Sequence, residues 1–367
     1  MTRIRVGISD HSPPPFEVER EALGPDTELV FLNSRLEEDF KPEILRSLDA
    51  LLVWRAPITG KTVDHLERCR IVVRYGVGYD AIDLSRLKQK GIPFCNVPDY
   101  GTEEVADTAS AMLLGLQRNV GRYDVSCRFF QGAWQNQSRE TIRLSRSALG
   151  IIGVGRIGTA LVNRMKPFGI KILGYDPYQP SGHEKAVGYQ RFQFLEEMLP
   201  LCDMISFHCP LNDETRGMID PSFLERVKSS LILVNTARGG LLESLDVLEK
   251  ALRENQIQAA GLDVLPQEPP GNHSLIEAWR NREEWLDGRL WINPHQAFFS
   301  NQAFYEMRFK AAETVKLFLN TESCETRSRS SVWPKSFVSG WQCSIMSSWF
   351  LKFPTCRPSG MQRPIIL

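Results

Sequence analysis

No stretch of the 367 residues approaches the roughly 18 consecutive apolar residues that a membrane-spanning helix requires. The opening, MTRIRVGISDHSPPP, lacks an apolar block followed by small residues, so it does not read as a secretory signal. Eight cysteines are spread through the chain and no two form a CxxC pair. They read as buried thiols in a reducing compartment rather than as a disulfide framework. Cys and His are nowhere clustered at metal-ligand spacing, so no metal is expected. Charge of one sign is also missing, since 44 Lys+Arg offset 44 Asp+Glu. A protein that grips nucleic acid through its surface field carries a basic excess, so direct nucleic-acid binding is not expected. What remains is a cytoplasmic globular protein of about two domains by its length.

Short apolar runs alternate with helical patterns. Strands are expected at 4–9, 28–32, 50–54 and 71–76, with helices at 61–68 and 84–90 among them. Such alternation favours a parallel sheet covered on both faces. A longer helix, EEVADTASAMLLGLQRNV, leads from one domain to the next. The pattern then restarts. Strands are expected at 149–152, 171–175, 204–207, 231–234, 259–264 and 290–292, and helices at 156–165, 222–228 and 244–254. A last helix at 301–319 is expected to return to the first domain, making it discontinuous. The expected domains are 1–120 with 300–325, and 121–299 between them. From Thr326 the composition shifts to a stretch without Asp or Glu that carries three Trp. Residues 326–367 are expected to be a disordered extension, dispensable for catalysis.

The strongest motif is GVGRIG, which follows the strand LGII and opens a helix. Gly153 permits the tight turn, Gly155 lets the backbone approach a pyrophosphate, and Gly158 lets helix and strand pack closely. Free N–H groups at the helix start then face the phosphates. Asp176 ends the next strand, where a carboxylate accepts from the ribose hydroxyls and repels a 2′-phosphate. The expected cofactor is NAD. Arg238, Glu268 and His295 each follow an expected strand. In a parallel sheet all three fall at the carboxyl edge, on the side of the glycine loop.

The segments RYGVGYD, LGIIGVGRIG, SFHCPLNDETRGMI, LVNTARGGLLE, AAGLDVLPQEP and NPHQAF resemble the D-isomer-specific 2-hydroxyacid dehydrogenase family. CNVPDYGTEEVAD and the motif spacing look closest to its C-terminal-binding-protein branch, which includes transcriptional corepressors. The resemblance implies two doubly wound parallel-sheet domains, a Rossmann NAD-binding domain inserted in a flavodoxin-like substrate domain. It implies hydride transfer between NAD and C2 of a small 2-hydroxy or 2-keto acid, in a homodimer. The alternative it carries is an NAD(H)-responsive corepressor-like binding protein, which would be nuclear.

By the same resemblance, His295 is the acid/base, Glu268 its partner, and Arg238 the clamp on the substrate carboxylate. Backbone N–H groups around Val77 and Gly78 would hold that carboxylate. Phe298 stands where the family's residues vary and would line the substrate pocket, hinting at a bulkier or apolar substrate. Cofactor contacts would come from Thr108, from Arg156 and Ile157 in the glycine loop, and from His208, Cys209, Pro210 and Leu211 beside the adenosine. Thr236, Ala237 and Asp263 would line the nicotinamide side. His11, His65, His183 and His273 show no convergent partners. A helix is expected between Glu268 and His295.

Overall fold

In the computed structural model the described residues are 3–10, 16–128 and 141–325, with the side chains of 321–325 excepted. His11 and the extension at 326–367 lie outside them. The chain divides into two units. The first holds the described residues up to Pro98 and from Met307, and the second is Asp99–Glu306.

The first unit runs β1 (Ile4–Ile8), α1 (Glu17–Leu23), β2 (Thr27–Phe31), α2 (Pro42–Leu45), β3 (Ala50–Val53), α3 (Gly60–Val63), β4 (Val72–Arg74), α4 (Leu84–Gln89) and β5 (Phe94–Asn96). Its five strands pair in parallel in the order β2-β1-β3-β4-β5. That is the flavodoxin-like order. Apolar runs such as Ala50–Val53 are buried throughout because helices cover both faces of a parallel sheet. Polar starts set the helix boundaries. Asp83 caps α4 by accepting from Arg86 N at 2.8 Å.

The second unit begins with α5 (Thr102–Gln117), the helix expected over 103–120 ended three residues early, and α6 (Val120–Arg128), which the sequence reading does not contain; Asn119, with φ of 54°, lies between them. It continues β6 (Ala148–Ile152), α7 (Arg156–Met165), β7 (Lys171–Tyr175), α8 (His183–Val187), β8 (Gln190–Phe192), α9 (Leu195–Met198) and β9 (Met204–Phe207). Then follow α10 (Pro221–Glu225), β10 (Ile232–Asn235), α11 (Leu245–Arg253), β11 (Ala259–Leu262), α12 (Ser274–Arg280) and β12 (Leu290–Ile292). All seven strands are parallel, in the order β12-β11-β10-β9-β6-β7-β8. This is a Rossmann sheet with its switch point between β6 and β9. The final helix α13 (Asn301–Glu325) carries Met307 onward into the first unit.

Alternate strand residues serve two cores. Met204, Ile232 and Val234 join Leu161, Val162 and Met165 of α7 and Ala109, Met112 and Leu113 of α5. Ile205, Phe207 and Leu233 join Leu248 and Leu252 of α11 and Leu275 of α12 on the other face. Gly261 leaves room for α5, since a Cβ there would lie 3.2 Å from Met112 Sδ. This packing places α5 in the second unit, so the division falls at Pro98 rather than near residue 120.

Candidate active site

Every strand of the second sheet ends at the same edge, so the loops after β6, β7, β9, β10, β11 and β12 gather there. The glycine loop is tight. Gly153 has φ 89°, and a Cβ on it would lie 2.6 Å from Cys209 N. A Cβ on Gly158 would meet Gly153 O at 2.2 Å, whereas Gly155 faces open space. Gly155 caps α7, Arg156 is exposed at its first position, and Ile157 is half-buried against the core. Asp176 closes the loop, its carboxylate accepting from Val154 N at 2.8 Å and Tyr178 N at 3.0 Å. Glu214, in the loop after β9, accepts from the Tyr178 hydroxyl, a link not foreseen from sequence.

After β9, His208 donates its backbone N–H to Ile152 O at 2.8 Å, and its Nε2 meets Ser206 Oγ at 2.8 Å. Burial pushes its pKa down to about 3, so the ring is neutral at physiological pH. Burial pushes the Cys209 thiol up to about 12, which makes it a poor nucleophile. Pro210 is exposed, and Leu211 packs over Gly240, where a Cβ would approach to 2.9 Å. After β10, Asn235 shapes the turn. Its Oδ1 accepts from Ala237 N at 3.0 Å and its Nδ2 donates to Arg238 O at 2.8 Å. Thr108, on α5, donates to Ala297 O at 3.4 Å.

Two buried polar atoms on this edge have no protein partner, His208 Nδ1 and Thr236 Oγ1. A buried polar group without a partner is costly, and a ligand that supplies one removes the cost. With the open face of Gly155 and the Asp176 carboxylate, they make a donor and acceptor set that fits a dinucleotide.

The titratable residues converge. His295 Nδ1 lies 2.7 Å from Glu268 Oε2, and Glu268 Oε1 accepts from Leu265 N at 2.9 Å. Burial raises the Glu268 carboxyl, but the His295 hydrogen bond and the nearby His295 and Arg238 charges outweigh it and leave it below its usual range. Arg238 donates Nη1 to Ala237 O at 2.7 Å, and Gly239 presses so close to Leu265 O that a Cβ would lie at 1.9 Å. His295 sits at φ 57°, a left-handed conformation rare outside glycine. Asp263 sustains it. Its carbonyl accepts from His295 N at 2.8 Å, and its carboxylate accepts from Gln296 N at 2.9 Å and Ala297 N at 3.0 Å. Burial raises the Asp263 carboxyl against those bonds. The carboxylate expected at the nicotinamide therefore shapes the His295 turn, which spacing could not show. Phe298 stacks edge-on to Tyr100 at 5.9 Å.

Outside this edge, His273 does have partners, correcting the sequence reading. Its Nε2 lies 3.2 Å from Asp246 Oδ1, and its Nδ1 accepts from Leu275 N at 3.1 Å. Glu249 joins them within 4.8 Å and also takes bonds from Arg253 and Ser274. The three carboxylate and imidazole groups are each engaged by protein donors or acceptors, and they staple α11 to α12. His183 meets Tyr189 Oη at 3.3 Å.

The comparisons agree with this geometry. Residues 110–297 match the family model described as "D-isomer specific 2-hydroxyacid dehydrogenase, NAD binding domain". A D-3-phosphoglycerate dehydrogenase of Methanocaldococcus jannaschii is 33% identical over 284 residues, 77% of this chain and 52% of that protein. C-terminal-binding protein 1 of Caenorhabditis elegans is 28% identical over 319 residues, 83% of this chain and 42% of that protein. The chain thus spans about half the length of these two relatives. Among solved structures, a D-lactate dehydrogenase of Aquifex aeolicus, complexed with NAD and lactic acid, superposes with TM-score 0.77 at 25% identity, covering 90% of this chain and 100% of that one. A matched NAD-binding model over half the chain, on a Rossmann edge with these loops, assigns the chain to the D-isomer specific 2-hydroxyacid dehydrogenase family.

Proposed function

We propose that the chain is an NAD-dependent oxidoreductase moving hydride between NAD(H) and C2 of a 2-hydroxy or 2-keto acid. The observation that carries this reading is the 2.7 Å pairing of His295 Nδ1 with a Glu268 carboxylate held charged, beside Arg238. When bound, NAD supplies and accepts the hydride. With Nδ1 committed to Glu268, His295 Nε2 is left to give a proton to the substrate oxygen in reduction and to take it in oxidation. Arg238 binds the carboxylate through its planar fork of donors. Within the first unit, the backbone N–H groups of Val77 and Gly78 are the groups proposed to take a substrate carboxylate. The cofactor is held by the loop of Gly153, Gly155 and Gly158, by Asp176, and by the two unpartnered atoms of His208 and Thr236.

Phe298 and its partner Tyr100 give the substrate region an aromatic wall, which supports an apolar substituent at C3. A second copy of the chain is the proposed partner. Helix α6 buries none of its residues and exposes Val120 (57%) and Tyr123 (43%). Light scattering at micromolar concentration should give a dimer, and an active monomer refutes that. The decisive experiment is a panel of 2-keto acids with NADH, followed by absorbance. Turnover of at least one member is expected. Tight NADH binding with no turnover on any member defeats the enzyme reading and favours the corepressor-like one, which rests on the 28% identical relative.

A further inference from the structure

The first unit buries an ion pair between α1 and α13. Glu19 on α1 and Arg308 on α13 have side-chain exposures of 0% and 6%. Arg308 Nε donates to Glu19 Oε1 at 2.8 Å, and Nη2 donates to Oε2 at 2.6 Å. Apolar side chains of similar volume would serve stability as well, because desolvating two charges costs about what their attraction returns. The pair does something an apolar replacement could not. Glu19 Oε1 also accepts from the Tyr75 hydroxyl at 3.1 Å.

Tyr75 is fully buried and opens the loop Tyr75-Gly76-Val77-Gly78 that follows β4. Its own N–H donates to Val53 O at 2.7 Å. The next two carbonyls are also fixed. Gly76 O accepts from Val97 N at 3.2 Å, and Val77 O accepts from the Asn96 side-chain amide at 2.7 Å. Each of those carbonyls shares a planar trans peptide with the N–H of the following residue, which points the opposite way. Turning Gly76 O onto Val97 N and Val77 O onto the Asn96 amide therefore aims the N–H groups of both Val77 and Gly78 away from β5.

We propose that Tyr75, locked by the Glu19–Arg308 pair, and Asn96 are positioning residues that hold the Val77 and Gly78 N–H groups as a preformed cradle for a carboxylate. This rests on the reading above that those two N–H groups take the substrate carboxylate. Both positioning residues act through the loop backbone, and neither is assigned a contact with the substrate. They work by sparing the loop the entropy of ordering when the anion arrives.

The test uses oxamate, a non-reacting 2-keto acid analogue, titrated calorimetrically into the NADH-saturated protein, alongside steady-state kinetics on the best keto acid of the panel. Tyr75→Phe removes one hydroxyl and keeps the ring. Asn96→Asp keeps the shape and removes the donor to Val77 O. Each variant should raise the oxamate Kd and the substrate KM about 2- to 10-fold, the worth of one hydrogen bond. Effects on kcat and on NADH affinity should be smaller than twofold. Lowered thermal midpoints with unchanged oxamate Kd in both variants would reduce these residues to structural ones and overturn the proposal. So would parent protein that binds NADH but no oxamate. Oxamate binding that weakens in the variants, with no turnover on any keto acid, upholds the cradle and defeats the oxidoreductase reading instead.

Discussion

The carboxyl edges of the two parallel sheets spend their polar side chains differently. On the first, Asp10 accepts from Trp54 N at 3.0 Å and Arg55 N at 2.5 Å, Glu19 takes Tyr75 and Arg308, and Asn96 takes Val77 O. These groups shape backbone. On the second, Asp176 and Asp263 do the same, but His208 Nδ1 and Thr236 Oγ1 are left with no protein partner. Loop-shaping groups hold a geometry in advance, and idle buried groups mark where a ligand completes the structure. Removing a group of the first kind should therefore disturb what the loop holds. Removing one of the second kind should weaken only what is bound.

The largest break is expected at His295, the group of the second edge proposed to handle the proton. His295→Asn should cut kcat by about 10²–10⁴-fold with NADH affinity nearly unchanged, the usual contribution of acid–base catalysis. Kinetics on a good substrate together with fluorescence titration of NADH decide it, and a variant that turns over at the parental rate sinks the assigned role. Asp176→Ala comes next. It removes the acceptor proposed for the ribose, and the preference for NADH over NADPH should shrink by roughly 10- to 100-fold, the range of hydrogen bonds to charged groups. NADH affinity itself should also fall, because Val154 N loses its partner. Equal affinity of the parent for both nucleotides contradicts the reading.

Thr236→Val sharpens the contrast between shaping and idle groups. The substitution keeps the shape and deletes the unpartnered hydroxyl. NADH should bind about 2- to 10-fold more weakly, while the thermal midpoint of the protein without nucleotide stays level or rises. A drop in that midpoint with unaltered NADH binding would place Thr236 among the shaping groups. The last prediction, at His208, reads stability rather than ligand binding. The His208 pKa is near 3 in the folded chain against 6.5 in the unfolded one. Between those values the unfolded chain binds the extra proton, so stability is complete above pH 6.5 and declines as pH falls toward 3. His208→Asn should flatten urea-denaturation midpoints measured between pH 7 and 4.5. A parental slope in the variant would assign the acid sensitivity to other groups.

Local patterns carried a good part of this molecule. The runs at 171–175 and 204–207 are strands at those bounds, and GVGRIG opens a helix over Arg156–Met165, because a buried strand and a glycine turn leave direct marks on neighbouring residues. The strands Phe94–Asn96 and Gln190–Phe192 carry polar residues in place of a continuous apolar run, and neither is expected from sequence, whereas the equally short Leu290–Ile292 is. The helix expected after Thr102 is there, but it stops at Gln117, and the left-handed Asn119 that precedes the unforeseen α6 is a matter of local conformation rather than composition. The same limit applies to the site.

Arg238, Glu268 and His295 were legible as candidates because each follows a strand whose run of apolar residues can be read, and parallel strands end at one edge. The pairing of Glu268 with His295 was legible only through the family resemblance, and that it runs through Nδ1, that Asp263 holds the His295 turn and that Asp246 finds His273 were not legible at all. Periodicity and motif spacing report how a residue relates to its near neighbours along the chain. Which carboxylate meets which ring 27 or more residues away depends on how loops from different strands pack together, and that is set only when the whole sheet assembles.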